Sequence, residues 1–364
     1  MIIYNSMIFL VLILLATTRT KVMNNGSTFS VYTPKSVAYI AMGYIVFWAG
    51  IRTQFVDTTA YIRSFNYADT GIDKAIAVFW GEGKDKGWEF LMISFKTLIS
   101  DNYHWWLTLV AAATGIPIAR TLRRYSVNFT YSMYLFITST TFIWMFNGIR
   151  QFLAAAIMFG LCNFLFLKKR NLYILAVLLC SMIHGTVVVM LPMYFIVHET
   201  PFKKRMLLFI LAIIVSTFFI SPLLEGMETM LKDTTYASNL AQFVEDDGVN
   251  PIRVLFMSIP EVLAFIKRKK IEALHNDFLN VCVNMSTISV GIYVIGIFTS
   301  GIMIGRLPIY FSLYNFLLIP YLIRVLYNNK SKLLYWIIGL IYLAFYYMMA
   351  RGYYYNSNLT GFLM

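Results

Sequence analysis

The chain has 364 residues, 59% of them hydrophobic and 17% aromatic, with only 13% charged. That balance excludes an ordinary soluble enzyme, because apolar blocks close to the ~20 residues needed to cross a bilayer recur from end to end. The formal charge of +13 is no nucleic-acid signature, since the basic residues sit in short clusters between those blocks. No linker separates soluble domains. We therefore expect one integral-membrane domain over residues 1–364, all-α and polytopic, lodged in the lipid bilayer, with about 10–12 transmembrane helices and no nucleic-acid partner.

In chain order, residues 2–16 imitate a signal peptide, but Arg19 and Lys21 follow the apolar run and no small-residue cleavage pattern ends it. The reading is a retained first helix with its N-terminus outside. Spans are expected at 2–18, 36–51, 103–121, 129–147, 149–167, 206–224, 254–266, 278–300, 307–327 and 333–350. The segment "WEFLMISFKTLIS" at 88–100 carries Glu89 and Lys96 on an apolar face and reads as an interfacial or re-entrant helix.

Six basic clusters orient the set: "RTK" at 19–21, "RTLRR" at 120–124, "KKR" at 168–170, "KKR" at 203–205, "KRKK" at 267–270 and "NNKSK" at 328–332. Cytoplasmic loops carry the excess of Lys and Arg. All six fall on one side only if the chain between 170 and 203 goes out and returns. We therefore expect a hairpin broken at His184-Gly185, with arms 172–183 and 186–198. The loop at 225–253, with "EDD" at 245–247, then lies outside. On this topology Arg52, Asp57, Arg150, His184 and Arg306 all reach the same outer side.

Each of these has a bland reading and a chemical one. Arg52, in "WAGIRTQFVDTTAYIRSF", either snorkels to the headgroups or grips a lipid-linked phosphate. Asp57 either pairs with that arginine or acts on a substrate hydroxyl, and Tyr61 is placed to stack on a sugar ring. Arg150 and Gln151 begin the apolar helix "IRQFLAAAIMFGL". A helix N-terminus suits an anion, and a guanidinium adds a fork matched to phosphate oxygens. Ala154, Ala155 and Ala156 keep that helix slim.

His184 is either a satisfied core histidine or an imidazole able to take a proton from a hydroxyl. Arg306 and Tyr310, in "GIMIGRLPIYFSLY", repeat the pattern of glycine, arginine and aromatic helix start. Three arginines at helix ends on one face favour a joint diphosphate site over three independent anchors. No phosphate-binding loop, dinucleotide motif, zinc motif or Cys/His cluster is present, and the acidic stretches lack a D-x-D spacing. We expect no metal and no cofactor. Cys162, Cys180 and Cys282 are far apart in apolar segments and suggest no disulfide framework.

The ordered motifs "AGIRTQFVDTTAYIRSF", "GWEFL", "GIRQFLAAAI", "KKRN", "MIHGTVVVMLP" and "GRLPIYF" run from about residue 49 to residue 311. In that order they resemble the EpsG-like group of Wzy-type polysaccharide polymerases. The chain departs from the group at Val56, where Gly often precedes the Asp. It departs again at Gly185-Thr186-Val187, where His is commonly followed by x-S/T-A.

The resemblance implies a multi-span, GT-C-like glycosyltransferase of the bacterial inner membrane. Such an enzyme joins undecaprenyl-diphosphate-linked repeat units of O-antigen, exopolysaccharide or capsule on the outer face. A flippase and a chain-length regulator would be its protein partners. In that chemistry Arg52, Arg150 and Arg306 would hold the diphosphate, with Gln151, Tyr61 and Tyr310 lining the substrate. His184 or Asp57 would be the base, with Glu89 in reserve. The alternatives are an O-antigen ligase using the same donor, and a flippase or transporter without chemistry.

Overall fold

A computed structural model describes residues 1–18, 21–25, 28–204, 248–299, 301, 303–328 and 331–363, with Leu208, Leu211, Ala212 and Val215. The expected span at 206–224 and the acidic segment at 225–247 lie almost wholly outside the described residues. The chain is an all-α polytopic membrane protein. Among the described residues, four helical stretches are long and apolar enough to cross a bilayer: Ile149–Phe166, Asp277–Ile297, Ile309–Leu326 and Ser331–Ala350. Two compact units are present, one made of Met1–Leu191 with Ile323–Met364, the other of Pro192–Leu322.

In the first unit, α1 (Ile2–Thr17) and α2 (Lys35–Gly50) follow the expected spans closely. Between them lies an unexpected antiparallel hairpin of β1 (Lys21–Asn25) and β2 (Thr28–Tyr32), with Lys21 opposite Tyr32. Three short helices follow: α3 (Thr58–Tyr67), α4 (Ile72–Trp80) and α5 (Lys86–Leu98), the last covering the expected interfacial segment. Next come α6 (Tyr103–Tyr125), α7 (Phe129–Thr138), α8 (Ile149–Gly160), α9 (Asn163–Phe166) and α10 (Arg170–Ser181).

The expected span 129–147 is not one helix. It breaks at Thr140, whose φ is 63°, and resumes as a 3₁₀ turn over Thr141–Met145. The run "TSTT" at 138–141 explains the break. The Ser139 hydroxyl bonds the Phe136 carbonyl at 3.1 Å and pairs with the Thr141 hydroxyl at 2.8 Å. Such local bonds compete with the helical ladder. The expected reversal near His184 is present. After α10 the chain turns into a 3₁₀ segment, Gly185–Met190, and the Tyr173 hydroxyl donates to the Met190 carbonyl at 2.9 Å.

Two packing features position everything that follows. Helices α2 and α6 lie very close, because Gly115 faces Met42 and Val46 with no room for a Cβ. Small residues permit such approach in membrane proteins. An aromatic core then joins α3, α5, α6 and α8: Phe65 stacks on Trp106 at 6.2 Å, Trp88 meets Trp106 edge-on at 5.1 Å, and Ile149 and Leu153 close the cluster. That core fixes the N-termini of α5 and α8 in one neighbourhood.

The helix Ser331–Ala350 packs on α7, with the Tyr134 hydroxyl donating to Gly339 at 2.7 Å and the Tyr131 hydroxyl to Tyr335 at 3.0 Å. The C-terminal segment beyond it returns over the loop after α2. The Thr53 N–H donates to the Asn356 carbonyl at 2.8 Å, the Asn356 N–H donates back to Gln54 at 3.1 Å, and Tyr353 stacks on Phe55 at 5.5 Å.

In the second unit, the helix Asp277–Ile297 buries a polar stripe. Asn284 donates to the carbonyls of Val197 and Glu199 at 2.9 and 2.7 Å, and the Thr287 hydroxyl donates to the Glu261 carboxylate at 2.6 Å. The expected span 254–266 is split at Ser258 into the helices Pro251–Met257 and Ile259–Ile266. Pro260 is the cause: it has no N–H for the ladder and disfavours helical conformation in the residue before it.

Candidate functional site

The site grows from one carboxylate. Asp85 precedes α5 in the left-handed region, with φ 55° and ψ 36°, a conformation that a short Asp side chain tolerates better than most. Its oxygen Oδ2 accepts from the Arg150 guanidinium at 3.1 Å and lies 3.2 Å from His184 Nδ1. Its other oxygen, Oδ1, accepts the Gly185 N–H at 3.0 Å. The backbone reinforces the same junction, since the N–H groups of Gly87 and Trp88 donate to the Met182 carbonyl at 2.8 and 3.2 Å. Residues 65, 99 and 100 positions apart along the chain thus meet on one side chain.

Local structure aims each partner. Gly148 caps α8 with φ 65°, and a Cβ there would press into the Trp144 ring at 2.9 Å. Arg150 therefore emerges in the first turn of a 12-residue helix, where unpaired N–H groups and the helix dipole favour an anion. Its side chain is 38% exposed, against 11% for Asp85, so the arginine is held on one side and open on the other. Gln151 is buried and its amide reaches the Thr186 hydroxyl at 3.5 Å, a weak contact that still faces the His184 turn.

Charge follows geometry. Burial pushes the Asp85 carboxyl up. The His184 hydrogen bond, the Gly185 N–H and the nearby Arg150 charge outweigh it and hold the group below its ordinary 3.8. An ionised Asp85 can only accept, so its bond to His184 selects the tautomer with the proton on Nδ1 and the lone pair on Nε2. The arrangement offers an oriented base beside a half-exposed cation.

The other expected residues are placed differently. Arg52 is 0% exposed. Its Nε donates to the Thr58 hydroxyl at 2.8 Å, Nη1 bonds the Ala49 carbonyl, and the guanidinium lies 5.8 Å from the centre of the Phe146 ring. Thr58 in turn reaches the Phe146 carbonyl at 3.5 Å. The arginine so enclosed ties the α2–α3 loop to the segment that leads into α8. Tyr310 is likewise 0% exposed, in the second unit. Both side chains, expected at the substrate, are enclosed in this structure.

Asp57 caps α3, half-buried and with no partner among the described residues. Glu89 is exposed in the first turn of α5. Tyr61 is half-buried and meets Trp88 edge-on at 6.3 Å. Arg306 is half-buried at the turn before the helix Ile309–Ser312, in the second unit. Cys162, Cys180 and Cys282 are buried and form no disulfide among the described residues. Among the described residues, no three His, Cys, Asp or Glu side chains gather as a metal ion would require.

Asp85 itself was missed in the sequence. It sits in "GEGKDKGW", where flanking Gly and Lys look like an ordinary solvated loop. The one usable signal was negative: from Asn102 to His198 the sequence has no Asp or Glu at all, so any carboxylate for Arg150 had to come from elsewhere.

The model of the EpsG family matches residues 36–360 of this chain. Neither the curated proteins nor the solved structures contain a match.

Proposed function

The chain belongs to the EpsG family, a family of Wzy-like polysaccharide polymerases, and from that premise we propose that it is a glycosyltransferase of the bacterial inner membrane. It joins oligosaccharide repeat units carried on undecaprenyl diphosphate, on the outer face of that membrane, in O-antigen or exopolysaccharide synthesis. The observation that carries the reading is the shared Asp85 carboxylate, which sets Arg150 and His184 side by side.

In the reaction, the acceptor hydroxyl oxygen forms a bond to the donor anomeric carbon. The bond from that carbon to the diphosphate oxygen breaks, and its electron pair leaves with the diphosphate. The hydroxyl proton passes to His184 Nε2. Asp85 holds the ring in the tautomer that can accept it, and stabilises the imidazolium that forms, as a carboxylate does behind a catalytic histidine. Arg150 and the N-terminus of α8 stabilise the charge that develops on the leaving group; preorganised donors of this kind are usually the largest catalytic contribution.

Gln151 and Arg306 are assigned to the same substrate, Tyr61 to a sugar ring, and Asp57 and Glu89 stand as reserve bases. Arg52 supports the site from within. The test is polymerisation of a purified lipid-linked repeat unit by the purified protein, without added metal. Extended glycan ladders are expected. Transfer of single units to a different acceptor would favour a ligase, and movement of the lipid without any new glycosidic bond would favour a flippase.

A further inference from the structure

A second basic region lies at the opposite end of α8 from the Asp85 cluster. A cavity of about 660 Å³ opens between the C-terminal turns of α6 and α8, within the 300–1,000 Å³ range typical of ligand sites. Its polar side is formed by Arg120, Arg123 and Arg124, and its apolar side by Pro117, Ile157 and Leu161. The arginine spacing of i, i+3 and i+4 puts all three on one face of α6.

Three like charges on one face repel one another, and here no carboxylate relieves them. Arg120 and Arg124 are exposed, and no ion pair to any of the three exists among the described residues. Arg123 donates only to the Thr33 carbonyl at 3.4 Å, and Arg124 leans on the Tyr125 ring. Arg120 has no hydrogen-bond partner among the described residues. The helix dipole at the end of α6 offsets part of the repulsion, but it does not explain the cavity.

The cavity has its own cause. Gly160 lies so close to Pro117 that a Cβ would stand 2.7 Å from the proline ring. Pro117 also removes one N–H from the α6 ladder. The helices are in close contact there, with the Thr121 hydroxyl reaching the Phe159 carbonyl at 3.3 Å, and the cavity opens beside that contact towards the arginines.

We propose that this cavity binds a lipid phosphate: a phosphate group against Arg120, Arg123 and Arg124, with its hydrocarbon chain along Pro117, Ile157 and Leu161. The positive-inside reading puts the "RTLRR" cluster on the cytoplasmic side, where basic pockets between helices hold anionic headgroups. The same chemistry is offered by an anionic phospholipid and by a polyprenyl monophosphate. Inorganic phosphate has the charge without the chain.

The test is native mass spectrometry of the full-length protein in detergent. Phosphatidylglycerol, phosphatidylcholine, a polyprenyl phosphate or inorganic phosphate is added at equal concentration. The wild type is expected to retain phosphatidylglycerol or the polyprenyl phosphate, whichever is held more strongly identifying the source, and to retain little phosphatidylcholine. Each removed charge costs about fivefold in affinity, so the Arg120→Gln/Arg124→Gln double variant binds about 25-fold more weakly. The Arg120→Lys/Arg124→Lys variant, which keeps both charges, retains most of the binding and guards against misfolding. Equal retention by the wild type and the double Gln variant would overturn the proposal. So would equal binding of phosphatidylcholine, or displacement of the lipid by an equal concentration of inorganic phosphate. His184→Ala is expected to bind lipid normally, so this site stands or falls separately from the polymerase reading.

Discussion

The two ends of α8 adjoin arginines in opposite circumstances. Over its 12 residues, about 18 Å of rise, the helix runs from a site with its carboxylate to one without. At the N-terminal end Asp85 reaches in from the turn before α5 and orients both Arg150 and His184. At the C-terminal end Arg120, Arg123 and Arg124 face an open cavity with no acid among them. A paired arginine is positioned but only partly neutralised, which suits a group that must act on one defined atom. Unpaired arginines on one face suit an anion that arrives from outside. The same residue type thus does positional work at one end and bulk electrostatic work at the other.

The largest effect should come from removing the base at the paired end. His184→Ala is expected to lower polymerisation per folded molecule by about 10²–10⁴, the usual general-base contribution, with protein level unchanged. Near-normal glycan ladders from that variant would shift the role to Asp57.

Arg150→Ala should cost roughly 10²–10³ in rate, by analogy with the loss of one oxyanion donor. Arg150→Lys keeps the charge without the planar fork and should retain part of the activity. Wild-type rates in both variants would leave Arg150 as an interfacial anchor.

Converting the paired end towards the unpaired one sharpens the contrast further. Asp85→Asn keeps the shape and deletes the charge, so kcat should fall by about 10–10², a fraction of the general-base contribution. KM should move less, because Asp85 positions the base rather than the substrate. A change confined to KM would place Asp85 in binding instead.

A change at neither end provides the control. Val56 holds φ 36° and is 56% exposed, a strained place for a β-branched residue. Val56→Gly relieves that strain, which in L-residues is about 1–2 kcal/mol. It also loosens the unfolded chain by roughly 0.5–1 kcal/mol. A gain of up to about 1.5 kcal/mol is expected, read as a higher unfolding midpoint with activity per molecule unchanged. A lower midpoint would show that the side chain, not the backbone, matters there.

The smallest effect is in pH. The Asp85 pKa is depressed in the folded protein, so its contribution to stability is fully present above about pH 4 and fades as pH falls through the lowered value. The unfolding midpoints of the wild type and Asp85→Asn should stay a fixed interval apart from pH 7 to 5. They should converge only below the ordinary value of 3.8. Convergence already at pH 6 would mean that the carboxylate is not held down.

Much of the fold was legible because hydropathy is a local property. The helices α1, α2 and Asp277–Ile297 lie within a few residues of where apolar runs begin and end. The break at His184 followed from the need to keep the basic clusters on one side. Helix interruptions were harder, because "TSTT" at 138–141 is apolar enough in its surroundings to pass for a span while its hydroxyls compete for the backbone. Within the candidate site, Arg150, Gln151 and His184 were visible as polar residues in apolar runs. Asp85 was invisible, since an acid between glycines and lysines looks like solvated loop.

The sequence by itself determined that this is a polytopic helical membrane protein, and that its order of motifs is that of the EpsG family. Both follow from short-range information: apolar length, charge clusters and motif spacing. Only the tertiary structure decided that Arg52 is enclosed, that Asn356 returns to pair with Gln54, and that Asp85 joins His184 across 99 positions. Those contacts depend on how the aromatic core draws α3, α5, α6 and α8 together. A pairing between distant residues leaves no periodicity along the chain from which it could be read.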